Sequence, residues 1–511
     1  MYSLRYLSAR QLVQNEEATC KIMEFFPRQL YGILLKVAFR YKKSMLLQEL
    51  VKNWPYPQLK VQMLLQICHQ CMRTSKKCSD CQWAFPYNET SKNNFDDIIK
   101  GVVSYIKEII NDGSKTLPSR RLQQLDMTGL LGKYFLWNHK LMRLWASSIS
   151  RAKICTLQQK IHDSENQEKS QVPETSTFPV ELQVDFLVDL EVSLKSEEFL
   201  MAALQDNINS LLHLTCRDFY VDKLSVHDAA KFLVPLDPLV LRRIDLSKGQ
   251  MKLMDIGWFM SQISIFQNMK SLKFPEFEFT NWWEEPSLKS QFDIFVTESN
   301  KLKHLTEIAF HNICLSDHLE YLLGGLLCSL QSLELSYCSL TNKDLTYLAR
   351  SQHSTHLIKL NLIGNSIDQI EHVLELLKAA SRSLVWLNMA FCGITDSKFY
   401  AALPSLCCCS KLSYLGLYGN HMTSTSVLTL LKQYQHKLPH LKAVAIPIFT
   451  DCCANLLDFR HLPRSMESYI NARKFNSVLK ELEELPRAEQ ESPINYTLNC
   501  NFPVIDYFDF Q

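Results

Sequence analysis

An α/β solenoid of short parallel strands and outer helices is predicted for this 511-residue chain from three observations. One leucine pattern recurs four times at near-constant spacing, weaker copies extend it both ways, and the segments between copies carry apolar residues at helical spacing. The clean copies begin with Leu330, Leu333, Leu335, Cys338, Leu340 and continue with Leu357, Leu360, Leu362, Asn365, Ile367. Leu384, Leu387, Met389, Cys392, Ile394 and Leu412, Leu415, Leu417, Asn420, Met422 complete them, with starts 27, 27 and 28 residues apart. The pattern is L-x-x-L-x-L-x-x-[N/C]-x-L, a leucine-rich repeat whose period leaves room for a full helix in each unit.

The L-x-L centre is a strand whose alternate side chains point into the core. The Asn or Cys after it turns toward neighbouring backbone, where an amide can satisfy groups that a tight turn leaves unpaired. Weaker copies start at Leu211, Leu241, Met269, Leu305 and Leu441, and Leu122 and Leu182 open two further strand-like stretches. About ten strands are expected on the concave face of a horseshoe. Outer helices are expected at Asp344 to Arg350, His372 to Ser381 and Ser424 to Gln435.

A repeat array needs caps, because its end units otherwise expose core. Residues 1–115 are read as a helical N-terminal capping domain, 116–460 as the solenoid and 461–511 as a C-terminal cap and tail. In that cap Ile470, Phe475, Val478, Leu479 and Leu482 share one side. Two stretches break the order: a polar loop at 162–179 and an aromatic, acidic insertion at 275–286, PEFEFTNWWEEP. Insertions in solenoids emerge on loops where partners often touch; the alternative is that Trp282 and Trp283 pack on the adjacent repeat.

Composition narrows the function. Hydrophobic residues make up 46% and charged residues 21%, enough apolar material for a large core. Lys and Arg number 55 against 53 for Asp and Glu, so no chain-wide field draws the protein to nucleic acid or to an acidic membrane. No run of about 18 apolar residues is present to span a bilayer. The N-terminus has no uninterrupted apolar stretch of the secretory kind. The 17 cysteines, scattered through apolar runs, read as reduced thiols and point to a cytoplasmic or nuclear compartment.

Motifs for nucleophilic, phosphate-binding or zinc-protease chemistry are missing, and so the chain reads as a non-enzyme without a cofactor. One metal-like arrangement exists: Cys68-x-x-Cys71, six residues, then Cys78-x-x-Cys81. Two thiolate pairs could hold a tetrahedral zinc. The first pair follows an apolar helical run, and four reduced cysteines at a helix end is the reading preferred here. The concave face is the stronger candidate, since its solvent-facing positions include Tyr337, Trp386, Phe391, Tyr414 and Tyr418. Large rigid aromatics there are good anchors for a protein target, the alternative being that they pack on one another. Glu334 and Lys359 mix the charge on that face, which disfavours nucleic acid.

The opening MYSLRYLSARQLVQ, the segment FFPRQLYGILLKVAF, WPYPQL at Trp54 to Leu59, LDMTGLLG at Leu125 to Gly132 and LSYLGLYGN at Leu412 to Asn420 together resemble the PRAME family. The likeness runs from Met1 to about residue 480. It implies a substrate receptor of a cullin-2 RING ubiquitin ligase, docked through elongin B and elongin C. The family's elongin C motif, [S/T/P]-L-x-x-x-[C/S/A]-x-x-x-[apolar], is matched by Ser3, Leu4, Ser8 and Leu12. Residues four and eight positions after Leu4 share a helix face with it. A looser cullin-2 match is Phe26 and Pro27 with Leu30. For both motifs the alternative is packing within the capping domain. One branch of the family further implies restraint of NF-κB activation through a kinase subunit of the IKK complex, the inner face then gripping that kinase.

Overall fold

The computed structural model describes residues 4–62, 92–111, 122–129, 143, 145, 183–205, 207, 210, 212–278, 280–453, 470–485 and 494–498. The chain divides into two compact units, Met1–Leu224 with Asp228–Leu241, and Ser225–His227 with Arg242–Gln511. The cysteines of the double C-x-x-C, the polar loop at 162–179 and Ser3 lie outside the described residues.

The first unit begins with helices α1 (Leu4–Gln14), α2 (Glu16–Lys21), α3 (Tyr31–Arg40), α4 (Ser44–Lys52) and α5 (Lys92–Asn111). Asn15 caps α2 by accepting from Ala18 N at 3.1 Å, and the Thr19 hydroxyl donates back to Leu12 O at 2.6 Å, fixing the bend after α1. Leu34, Leu35, Leu46, Leu47, Leu50, Ile98 and Val102 form the helical core. Four strands, β1 (Gln58–Lys60), β2 (Gln124–Asp126), β3 (Val184–Ser193) and β4 (Leu212–Ser225), pair in parallel and in chain order. β1 falls inside the block expected to be wholly helical. Pro55 and Pro57 end the helical run before it, and the Trp54 indole N–H donates to Gln58 O at 3.0 Å.

The second unit is the repeat array. Its strands are β5 (Arg243–Gln250), β6 (Ser271–Glu276), β7 (Glu307–His311), β8 (Ser332–Ser336), β9 (Lys359–Asn361), β10 (Trp386–Asn388), β11 (Tyr414–Gly416), β12 (Ala443–Ala445) and β13 (Asn495–Thr497). Each pairs in parallel with the next. The intervening helices Asn342–Arg350, Ile370–Ala380 and Ser424–Tyr434 lie within a residue or two of where helical spacing predicts them, and Asp396–Leu406 is a further one. This is the expected α/β leucine-rich repeat fold. Leu333, Leu335, Leu360, Leu387, Leu415 and Leu417 are fully buried, so one side of every strand faces the core. β13 carries no leucine signature and is seen only because it pairs with β12. Before it, helix Ala472–Glu483 buries Phe475, Val478 and Leu482, the face the sequence marks.

The consensus polar position holds the repeats together. The Asn365 amide donates to Leu335 O at 2.6 Å in the preceding repeat and to Leu362 O at 2.8 Å in its own. Its oxygen accepts from Cys338 N and Leu340 N, both at 3.1 Å. Asn420 repeats the arrangement with Met389 O at 2.8 Å, Leu417 O at 2.9 Å, and Cys392 N and Ile394 N at 3.0 Å. At the alternate repeats a thiol does a smaller job, Cys392 Sγ reaching Leu362 O at 3.1 Å. Burial pushes the Cys338 and Cys392 thiols up to about 12, so they act as small polar core groups and not as nucleophiles.

Trp282 and Trp283 pack on the adjacent repeat. The Trp282 indole is buried, stacks on Phe292 at 3.9 Å and donates to Cys314 O at 2.8 Å, while Trp283 stacks on His318 at 4.3 Å.

Asn365→Ala leaves two backbone N–H groups and two carbonyls of a buried turn without their partner. It is expected to cost about 2–4 kcal/mol, read as a lower denaturation midpoint in urea.

Candidate functional site

The face opposite the leucine ladder presents two rows of side chains, because residues two apart on a strand share a face. The register aligns Arg243, Ser271, Glu307, Ser332, Lys359, Trp386, Tyr414 and Ala443 in the first row. Asp245, Lys273, Ala309, Glu334, Asn361, Asn388, Gly416 and Ala445 form the second. The wall is thus charged over β5–β9 and aromatic, then small, over β10–β12.

The charged half is one connected network. Arg243 donates to Glu307 at 3.0 Å and to the Ser271 hydroxyl at 3.1 Å, and Ser271 in turn donates to Glu307. Ser332 donates to the other Glu307 oxygen at 3.1 Å. Lys273 spans Glu307 at 3.3 Å and Glu334 at 2.9 Å, and Lys359 reaches the same Glu334 oxygen at 2.9 Å. Burial by itself raises the Glu334 carboxyl, but Lys273 and Lys359 overcome it and hold the group well below the usual carboxylate range. Buried charges survive here because each meets an opposite charge or a hydroxyl.

Lys359 also joins the two halves, its ammonium lying 5.3 Å from the Trp386 ring centroid. Trp386 stacks on Tyr414 at 4.7 Å with 17° between the planes. Both rings are buried, which corrects the expectation that they face solvent. Strands about 4.8 Å apart bring large side chains in one register row into face-to-face contact, so each covers its neighbour. Tyr337 is 49% exposed, and Phe391 and Tyr418, whose rings meet edge-on at 5.4 Å, are half-buried. The five predicted aromatics therefore divide into a covered pair and an accessible trio.

The accessible trio depends on glycine. Tyr337 and Phe391 close their strands with φ of 57° and 56°, and Gly364 and Gly419 occupy the same position in the alternate repeats at 74° and 71°. A Cβ on Gly364 would lie 2.2 Å from the Tyr337 ring, and one on Gly419 would lie 2.3 Å from the Phe391 ring. Each aromatic is laid over the bare backbone of the next repeat. The repeats consequently work in pairs, aromatic-Cys followed by Gly-Asn.

Arg243, Ser271, Lys273, Glu307 and Ser332 escaped the sequence reading. All but Ser332 sit in weakly patterned repeats, and only alignment of the columns on either side of the first strand leucine would have grouped them.

In the first unit, α1 buries Ala9 and Val13 and leaves the neighbouring stripe outward. Leu4 is 81% exposed, Ser8 is exposed and Leu12 half-buried. Phe26 and Leu30 are half-buried and Pro27 is exposed beside the short 3-10 turn Arg28–Leu30. Among the described residues no group of three or more metal-ligating side chains converges, and no helix is long and apolar enough to cross a membrane.

Comparison with known proteins matches the PRAME C-terminal domain over residues 183–452 and the PRAME N-terminal domain over residues 3–77. Leucine-rich repeat-containing protein 14 of Rattus norvegicus is 33% identical over 516 residues, covering all of both chains. This chain belongs to the PRAME family. The Homo sapiens protein of the same name is 32% identical over 504 residues, 97% of each chain, and human PRAME family member 7 is 23% identical over 436 residues, 83% of this chain and 82% of that one. Within the PRAME family the chain is a leucine-rich repeat protein with the architecture of a protein-interaction scaffold.

Glu334→Gln removes the carboxylate shared by two buried lysines, with an expected loss of about 3 kcal/mol near neutral pH. Because the folded Glu334 is held below its unfolded value of about 4.3, its contribution is complete above that pH and fades as pH falls further. Urea titrations at stepped pH should show the gap between wild type and variant closing below about pH 4. Gly419→Ala is expected to cost at least about 1–2 kcal/mol for the left-handed backbone and to displace Phe391, read by melting temperature and near-UV circular dichroism.

Proposed function

We propose that this protein is the substrate-recognition subunit of a cullin-2 and elongin B/C ubiquitin ligase. The observation that carries the reading is α1: Ala9 and Val13 anchor it, while the stripe from Leu4 through Ser8 to Leu12 stands beside that anchor and leads outward. A narrow ridge of small and apolar side chains on one helix face suits a hydrophobic groove, and its spacing is that of the family's elongin C motif. Ser3, Leu4, Ser8 and Leu12 are the elongin-contacting residues in this proposal, and Phe26, Pro27 and Leu30 contact cullin-2. The inner wall of the second unit, with Tyr337, Phe391 and Tyr418 accessible and Trp386 and Tyr414 behind them, receives the target. Catalysis then belongs to the ligase, and this chain supplies proximity by raising the target's effective concentration.

Leu4→Asp tests the proposal with little risk to the fold, since Leu4 is exposed and such surface changes cost no more than about 0.5 kcal/mol. Elongin C is expected to copurify with wild type and not with the variant; equal recovery, or none from wild type, overturns the reading. Intact restraint of an NF-κB reporter by Leu4→Asp would instead favour a stoichiometric inhibitor acting on an IKK kinase subunit.

A further inference from the structure

The accessible aromatics stand at a fixed interval. Tyr337, Gly364, Phe391 and Gly419 each follow the first-row residues Ser332, Lys359, Trp386 and Tyr414 by five positions, so they form one register column across β8–β11. The two aromatics are therefore two strand spacings apart, about 9.6 Å. Their placement repeats as well, since each ring is laid over the glycine of the following repeat. Tyr418 meets Phe391 edge-on and packs against the buried cluster of Trp386, Tyr414, Ala443 and Ala445, which gives this margin of the wall a firm floor.

Period, backbone pairing and charge each narrow what can bind there. A polyproline II helix repeats a face every three residues, about 9.3 Å, whereas an extended strand does so every ~6.7 Å and an α-helix at ~6 Å and ~10.5 Å. The aromatic interval matches the first. Strand addition is further disfavoured because the backbone of the column is already paired: Tyr337 N donates to Ile363 O at 2.7 Å, Gly364 N to Ala390 O at 3.0 Å and Phe391 N to Tyr418 O at 2.9 Å. A polyproline II segment needs no such partners, since its own backbone groups stay hydrated. Charge is absent from the column and from the residues one step before it, Ser336, Ile363, Ala390 and Tyr418, so the margin complements an uncharged ligand.

We propose that this aromatic margin binds an uncharged, proline-rich segment in the polyproline II conformation, with prolines three residues apart seated on Tyr337 and Phe391. Aromatic-lined surfaces take such segments because pyrrolidine rings pack on aromatic rings and the ligand is ordered before it binds. The inference rests on the inner wall being the target-binding surface, and it names the class of target: a protein displaying an exposed Pro-x-x-Pro stretch.

Fluorescence polarisation of labelled nonaproline with the full chain gives the test. Saturable binding is expected for wild type, weakened about tenfold or more in Tyr337→Ala and in Tyr337→Leu, which keeps an apolar cover over Gly364 but has no ring. Phe391→Tyr, which keeps its ring, should bind like wild type. Among unlabelled competitors, an alanine-based peptide with prolines at every third position should displace the probe, and one with the same prolines at every fourth position should not. No saturation at millimolar concentration, undiminished binding without the Tyr337 ring, equal displacement by both proline spacings, or stronger displacement by a helical peptide with leucines at i, i+4 and i+7 each overturns the proposal. Tyr337→Ala should leave elongin C recovery unchanged and Leu4→Asp should leave nonaproline binding unchanged, so this proposal and the docking of α1 fail separately.

Discussion

A buried asparagine amide, repeated at every second turn, is the constraint on which the array depends. A repeat unit cannot bury its own apolar face, so its stability lies in the junction with its neighbour. The leucines make that junction favourable but do not fix its geometry, because apolar contact is non-directional. Asn365 and Asn420 fix it, each with two donors and two acceptors from adjacent turns held at hydrogen-bond distance. Parallel pairing of strands of only three residues follows from that alignment, as does the register that sorts side chains into rows.

The rows explain how a wall with buried charge can exist on the face of the sheet opposite the leucine ladder. Across five strands Glu307 and Glu334 stand between Arg243 and Lys273 on one side and Lys359 on the other, so each ion is compensated by one or two opposite charges within two strands of it. Such a network adds less to net stability than leucines of equal volume could, but removing any one of its partners leaves a buried charge uncompensated. A rigid, patterned surface is what a recognition scaffold requires, and the pairing of Tyr337 over Gly364 and Phe391 over Gly419 extends the same rigidity to the accessible aromatics.

The repeat period, the strand positions from Leu122 to Leu441, the outer helices and the amphipathic cap helix were legible in the sequence, because all are local patterns of apolar spacing. So was the role of Asn365 and Asn420, since a consensus polar residue beside a strand has few other uses. The fate of the aromatics was not. Trp386 and Tyr414 occupy positions that read as solvent-facing, and only the neighbouring strand decides whether each ring meets water or another ring. β1 and β13 lay beyond reach for a related reason: three residues with no leucine pattern become a strand only when a parallel partner supplies the hydrogen bonds.

By itself, then, the amino-acid order determined the α/β repeat architecture, the family and the shared helix face of Leu4, Ser8 and Leu12, all of which rest on local spacing and motif. Tertiary structure alone decided that Arg243, Lys273, Glu307, Glu334 and Lys359 form a single network, and that Trp386 and Tyr414 are covered while Tyr337 is not. Those side chains come from repeats separated by about 25 to 64 residues, and their neighbours are set by strand register, a quantity no local spacing encodes.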